Sequence, residues 1–97
     1  MKVKIDTKEK FTVIIPLEPD LPANMTEEIQ RTLLSYLDKT TKNIIINLEN
    51  VMKIDLCVAS VLGSAQEQFN KSNTSMVFCQ LQTGVETFLR EKGMLQF

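Results

Sequence analysis

"NIIINLENVMKIDLCVASVLGSAQEQF", residues 43–69, carries two apolar patterns joined by a short turn. Ile44, Ile45 and Ile46 are consecutive and β-branched, in a run too short for a buried helix. They predict a central strand covered on both faces. Val58, Val61, Leu62, Ala65 and Phe69 then recur at helical spacing, with Ser60, Ser64, Glu67 and Gln68 on the opposite side. Between the two patterns lies "MKIDL", which puts Asp55 at or near the N-cap of that helix. Strand, turn and helix in direct succession place the chain in the α/β class.

The flanking segments extend that order. Residues 3–5 ("VKI") and 11–15 ("FTVII") alternate with period two, and "TKEK" between them is short and polar. They predict an antiparallel hairpin. Pro16, Pro19 and Pro22 follow, so residues 16–22 ("PLEPDLP") are expected to be an acidic, exposed loop. "NMTEEIQRTLLSYLDK", residues 24–39, sets Met25, Ile29, Leu33, Tyr36 and Leu37 on one helical face, with Asn24 and Glu27 spaced as a capping box. "SMVFCQL" (75–81) is another apolar strand. "TGVETFLREKG" (83–93) is a last helix, with a capping box at Thr83 and Glu86 and a stop at Gly93. The expected order is β-β-α-β-α-β-α. It describes one domain over residues 1–97, a small mixed sheet of about four to five strands with helices packed on it.

Composition removes several functions. Net charge is -1, which argues against a nucleic-acid binder. There is no histidine, so the commonest general base and metal ligand are missing, and the two cysteines alone make no zinc site. The three glycines, Gly63, Gly84 and Gly93, are too far apart for a phosphate loop. No enzyme, cofactor or metal is expected. No run approaches the roughly 20 apolar residues of a membrane span, and "MKVKID" lacks a signal's apolar core. A cytoplasmic placement with reduced thiols is expected.

In open α/β sheets, ligands and partners gather beyond the carboxyl ends of the strands, here residues 47–55 and 79–83. Asp55 is a helix cap, worth about 1 kcal/mol against alanine, or the mark of a partner-binding loop. Cys57 falls in the first helical turn. It is core filler, a partner contact, or a redox-sensitive thiol favoured by the helix N-terminus. Cys79, within an apolar strand, is expected in the core. The acidic loop 16–22 joins an interaction face if it lies near Asp55.

These segments together resemble the STAS domain family, the anti-sigma-factor antagonists and their relatives. The family pattern "vvlDls-gv-fiDSSGl" aligns with residues 43–69: Asn47-Leu48 on "Dl", Asn50-Val51 on the turn, and Ile54-Asp55 on "iD". "SMVFCQLQTGVETFLREKGM" resembles the closing strand and helix. In regulatory members, a loop serine or threonine just before the glycine is phosphorylated by a kinase that is also an anti-sigma factor. The unmodified form binds that partner and frees the sigma factor. Carried over, Asp55 is kept, the hydroxyl positions become Leu56 and Cys57, and the glycine becomes Val58. Cys57 is then a degenerate phosphosite, and Ser60, one turn on, is the nearest hydroxyl. The resemblance implies a bacterial protein-interaction module acting in signalling and transcription regulation. It would bind a serine kinase or anti-sigma factor through Asp55, Leu56, Cys57, Val58 and Ser60. The alternative it implies is an accessory subunit of an ABC lipid transporter, bound to the transporter ATPase. Nucleotide or small apolar ligands are a further class linked to such domains.

Overall fold

In the computed structural model, which describes residues 2–39 and 43–95, the chain begins with the expected hairpin. The ends of the expected domain and residues 40–42 lie outside the described residues. Strands β1 (Val3–Thr7) and β2 (Phe11–Pro16) run antiparallel, and the Lys8 N–H donates to the Phe11 carbonyl at 2.8 Å. Next come a two-residue strand β3 (Asp20–Leu21), one 3-10 turn (Ala23–Met25) and helix α1 (Thr26–Lys39). Strands β4 (Asn43–Asn47) and β5 (Lys53–Ile54) precede helix α2 (Leu56–Lys71). Strand β6 (Met76–Cys79) and helix α3 (Thr83–Glu91) complete the order.

Four strands form the main sheet in the order β1-β2-β4-β6, with β2, β4 and β6 parallel. The steps β2 to β4 and β4 to β6 go the same way across the sheet. Right-handed crossovers therefore carry α1 and α2 to the same face. Burial agrees. Thr12, Ile14, Pro16, Ile44, Ile46 and Met76 are buried and share one face by register. Against them pack Ile29 and Leu33 of α1, and Val58, Leu62, Ala65 and Phe69 of α2. Each such large side chain contributes about 1.5–3 kcal/mol by leaving water. Helix α3 packs against β5 and buries Val85 and Leu89, and Met94, just after it, sits against Gly63 of α2.

This one-sided arrangement corrects an expectation. β4 is central, but among the described residues the helices cover only one of its faces. Its Ile44 and Ile46 are buried, while Ile45, pointing the other way, is only half-buried.

The helix ends show where local chemistry competes. Asn24 is not a cap: it lies inside the 3-10 turn, whose N-cap is Pro22. Thr83 is the first helical residue of α3, and Gln82 holds the N-cap position without a side-chain bond to the helix. The Gln82 amide instead donates to the Glu49 carbonyl at 2.7 Å. Both later helices stop in the same motif. At α3 the Gly93 N–H (φ 74°) donates to Arg90 O and the Met94 N–H to Leu89 O. At α2, Asn73 (φ 62°) and Thr74 repeat it on Asn70 and Phe69. A left-handed residue is needed there, and glycine and asparagine tolerate it best.

Candidate functional site

Beyond the carboxyl end of β4 the chain turns sharply. Leu48 and Val51 are fully buried and close the turn, the Val51 N–H donating to the Leu48 carbonyl at 3.0 Å. Asn47 supports it by accepting from the Glu49 N–H at 2.9 Å. The buried pair anchors the turn, so the residues after it are presented from a fixed base.

Those residues meet the proline-rich segment. β5 pairs with β3 in parallel, Asp20 beside Lys53 and Leu21 beside Ile54. The Pro19 carbonyl accepts from the Met52 N–H at 2.7 Å and the Lys53 N–H at 3.2 Å, and the Leu21 carbonyl from the Asp55 N–H at 2.9 Å. The segment expected to be simple loop is thus a two-residue strand tied to the turn. Proline lacks an N–H but keeps its carbonyl, so a proline-rich stretch still accepts ladder bonds. The acidic loop is thereby brought next to Asp55, with Asp20, Leu21, Pro22, Lys53 and Asp55 around one groove of about 160 Å³.

Asp55 is the N-cap of α2, in extended conformation. Its Oδ2 accepts the Cys57 N–H at 2.8 Å and its carbonyl accepts the Ala59 N–H at 3.0 Å. Leu56 is 54% exposed, and Cys57 and Ser60 are exposed. Val58 is not: it is fully buried in the core. It belongs to the apolar stripe of α2, and the stripe decides its direction. Four of the five singled-out residues therefore share a surface and the fifth supports it from beneath. Met52, 61% exposed, was not singled out; it stands just before β5 and faces the groove toward Phe88 of α3. Its signal is the "VMKI" pattern, with Val51 and Ile54 inward and Met52 and Lys53 outward.

Grooves flank the turn on further sides. One, of about 230 Å³, runs between β5 and α3 past Met52, Ile54, Val85 and Phe88. Another, of about 400 Å³, runs along α2 past Ser60, Ser64, Glu67 and Met94. The apolar cavity beneath α1, lined by Ile14, Leu33, Ile46 and Leu62, measures only about 20 Å³. It has room for a single water and not for a lipid chain.

Both cysteines are free. Cys79 is half-buried at the end of β6. Burial, and secondarily the Glu49 carboxylate, push its thiol pKa up. Among the described residues no group of three or more histidine, cysteine, aspartate or glutamate side chains is placed to hold a metal. Among them, too, no helix is long and apolar enough to cross a membrane.

Comparison with known proteins gives the fold a name. The model of the STAS domain matches residues 2–97. No curated protein matches the chain. Among solved structures, the unphosphorylated anti-sigma factor antagonist SpoIIAA superposes with a TM-score of 0.75 at 12% identity, over 92% of this chain and 82% of that one. An RsbS variant from Moorella thermoacetica gives 0.79 at 16%, over 99% and 81%. The protein TM1081 gives 0.82 at 14%, over 95% and 76%. At such identities the likeness shows a shared fold.

Proposed function

The chain belongs to the STAS domain family, and on that premise we propose that it is a non-enzymatic module that docks a protein partner through the β5–α2 turn. The observation that carries this is the exposure of Leu56. It stands 54% exposed between Ile54 and Val58, which are both buried. Covering such a side chain yields up to about 1.5–3 kcal/mol, enough to anchor an interface. Asp55 holds the helix end rigid, and Cys57 and Ser60 extend the contact along α2. The partner is a serine kinase or anti-sigma factor of the kind that anti-sigma-factor antagonists bind.

The switch used by regulatory relatives is absent at the corresponding position. Cys57 stands there, and a thiol does not replace the serine hydroxyl that such kinases modify. A phosphate would add about -1.5 to -2 charges beside the exposed leucine and so oppose apolar docking. Without it, the turn stays permanently in its binding form.

The test is recovery of the partner from native cells on immobilised protein, followed by titration with Leu56→Glu. Because Leu56 is exposed, its replacement changes stability by no more than about 0.5 kcal/mol. Partner affinity is expected to fall by at least about tenfold, or about 1.4 kcal/mol. Unchanged affinity removes the turn from the interface. A phosphoryl group found on Cys57 in protein from the host removes the constitutive reading. A transporter ATPase as the recovered partner reassigns the module to lipid transport.

A further inference from the structure

We propose that the open face of the main sheet is a self-association surface, on which two copies of this chain meet as a weak two-fold dimer. The face is defined by strand alternation and register. Asp6, Val13, Ile45 and Val77 form one row across the four strands. Lys4 beside Ile15, and Asn47 beside Cys79, lie one step along. Phe11 and Asn43 are paired at the other end. All the buried strand residues of the sheet lie on the opposite side, beneath the helices. Here the centre is apolar, and Val77 is 38% exposed.

Among the described residues no helix lies over this face, though Val77 at its edge shares a groove with Leu95; parallel sheets are normally covered on both sides. The occupant is indicated by charge. Lys4 and Asp6 stand two residues apart on the edge strand β1, opposite in sign and on this same face. A two-fold axis lying in the interface, across the strands and between these residues, sets Lys4 against the second copy's Asp6 and Asp6 against its Lys4. The same axis lays Val13 over the second copy's Ile15, Val77 over its Cys79 and Ile45 over its Asn47. One patch thus complements itself, as a two-fold interface requires. Lys8 already contacts Asp6 at 3.1 Å, but both side chains are about half exposed. Such a surface pair is worth little.

Size sets the strength. Four strands about 4.8 Å apart, with about five residues each at about 3.3 Å, span roughly 19 by 17 Å. That is below the roughly 800 Å² per partner of a standard interface, so the dimer is of the weak, transient class.

The experiment is sedimentation and amide NMR across a dilution from about 1 mM to about 10 µM, a range that brackets weak dissociation constants. Association is expected, with shift changes centred on Val13, Ile45 and Val77. Lys4→Asp sets like charges together twice and is expected to weaken association by about tenfold or more. The double variant Lys4→Asp with Asp6→Lys restores opposite pairs and is expected to recover it. Val77→Lys, at the far edge, is expected to weaken association without rescue by either charge change. Circular dichroism confirms that each variant is folded. A chain that is monomeric throughout overturns the proposal. So does association indifferent to Lys4→Asp, a double variant that fails to recover, or shifts centred on the β5–α2 turn; the open face would then belong to a different molecule. Leu56→Glu leaves this self-association untouched, so the surface stands or falls apart from the docking turn.

Discussion

Asp55 and Cys79 show what single side chains contribute at this end of the molecule. One carboxylate oxygen of Asp55 is held by the Cys57 N–H, so the helix end has its acceptor supplied from within. That leaves the apolar side chain after it, Leu56, as the group that gains most from a partner. Cys79 titrates differently from an exposed thiol. Its pKa is raised above the ordinary 9.0, first by burial and then by Glu49. Folding therefore favours the neutral thiol. The contribution is fully present below about pH 9, and it is lost as pH rises through the raised value, because the unfolded chain releases its proton first. Denaturant unfolding from neutral to alkaline pH should show a stability loss that is smaller in Cys79→Ala than in the parent. A difference between the two that stays constant across that range would mean the thiol does not feel its burial. Cys57, being exposed, should also react with a thiol reagent before Cys79 does.

At the scale of elements, α2 is fastened to the sheet as well as packed on it. The buried Gln66 amide donates to the Met76 carbonyl at 2.9 Å, joining the helix to the edge strand β6. Gln66→Leu keeps the volume and removes the donor. It is expected to cost about 1–3 kcal/mol, since a buried carbonyl loses its partner. A melting temperature equal to the parent's would show that water takes the place of the amide. Which elements were legible beforehand follows from their length. Strand β2 and all three helices are long enough to show a period, β4 and β6 show continuous apolar runs, and each was expected where it lies. β3 and β5 have two residues each, too few for any period, and the prolines around β3 disguise its acceptors. The caps at Asn24 and Thr83 failed for a related reason. The Gln82 amide donates to the Glu49 carbonyl, 33 residues away in the chain, and local spacing carries no trace of that partner. Within the candidate site, the cap role of Asp55 was legible because it depends on the next two residues only. Val58 was expected both on the α2 stripe and in the partner contact; it is buried, because its place on the stripe outweighs its place in the turn.

At the scale of the whole molecule, stability and recognition fall in different places. β4 is bonded on both sides and lies under helices, so its amides open only when the domain unfolds. The β3–β5 pair is a short strap with a single two-residue ladder, anchored by Leu21 and Ile54, which are buried in the core. Opening of this ladder leaves the separate four-stranded sheet paired. A docking turn mounted on such a strap adjusts to a partner at little cost, while its base at Leu48 and Val51 stays fixed. Native-state hydrogen exchange separates these levels. The Ile45 and Ile46 amides are expected to exchange slowest, near the rate set by global unfolding. The Met52, Lys53 and Asp55 amides, though bonded to Pro19 and Leu21, are expected to exchange at least about tenfold faster, through sub-global opening. Partner binding should slow the second group and leave the first unchanged. If the strap amides of the free protein exchange as slowly as those of β4, the turn is part of the rigid core, and its partner must fit a surface that does not yield.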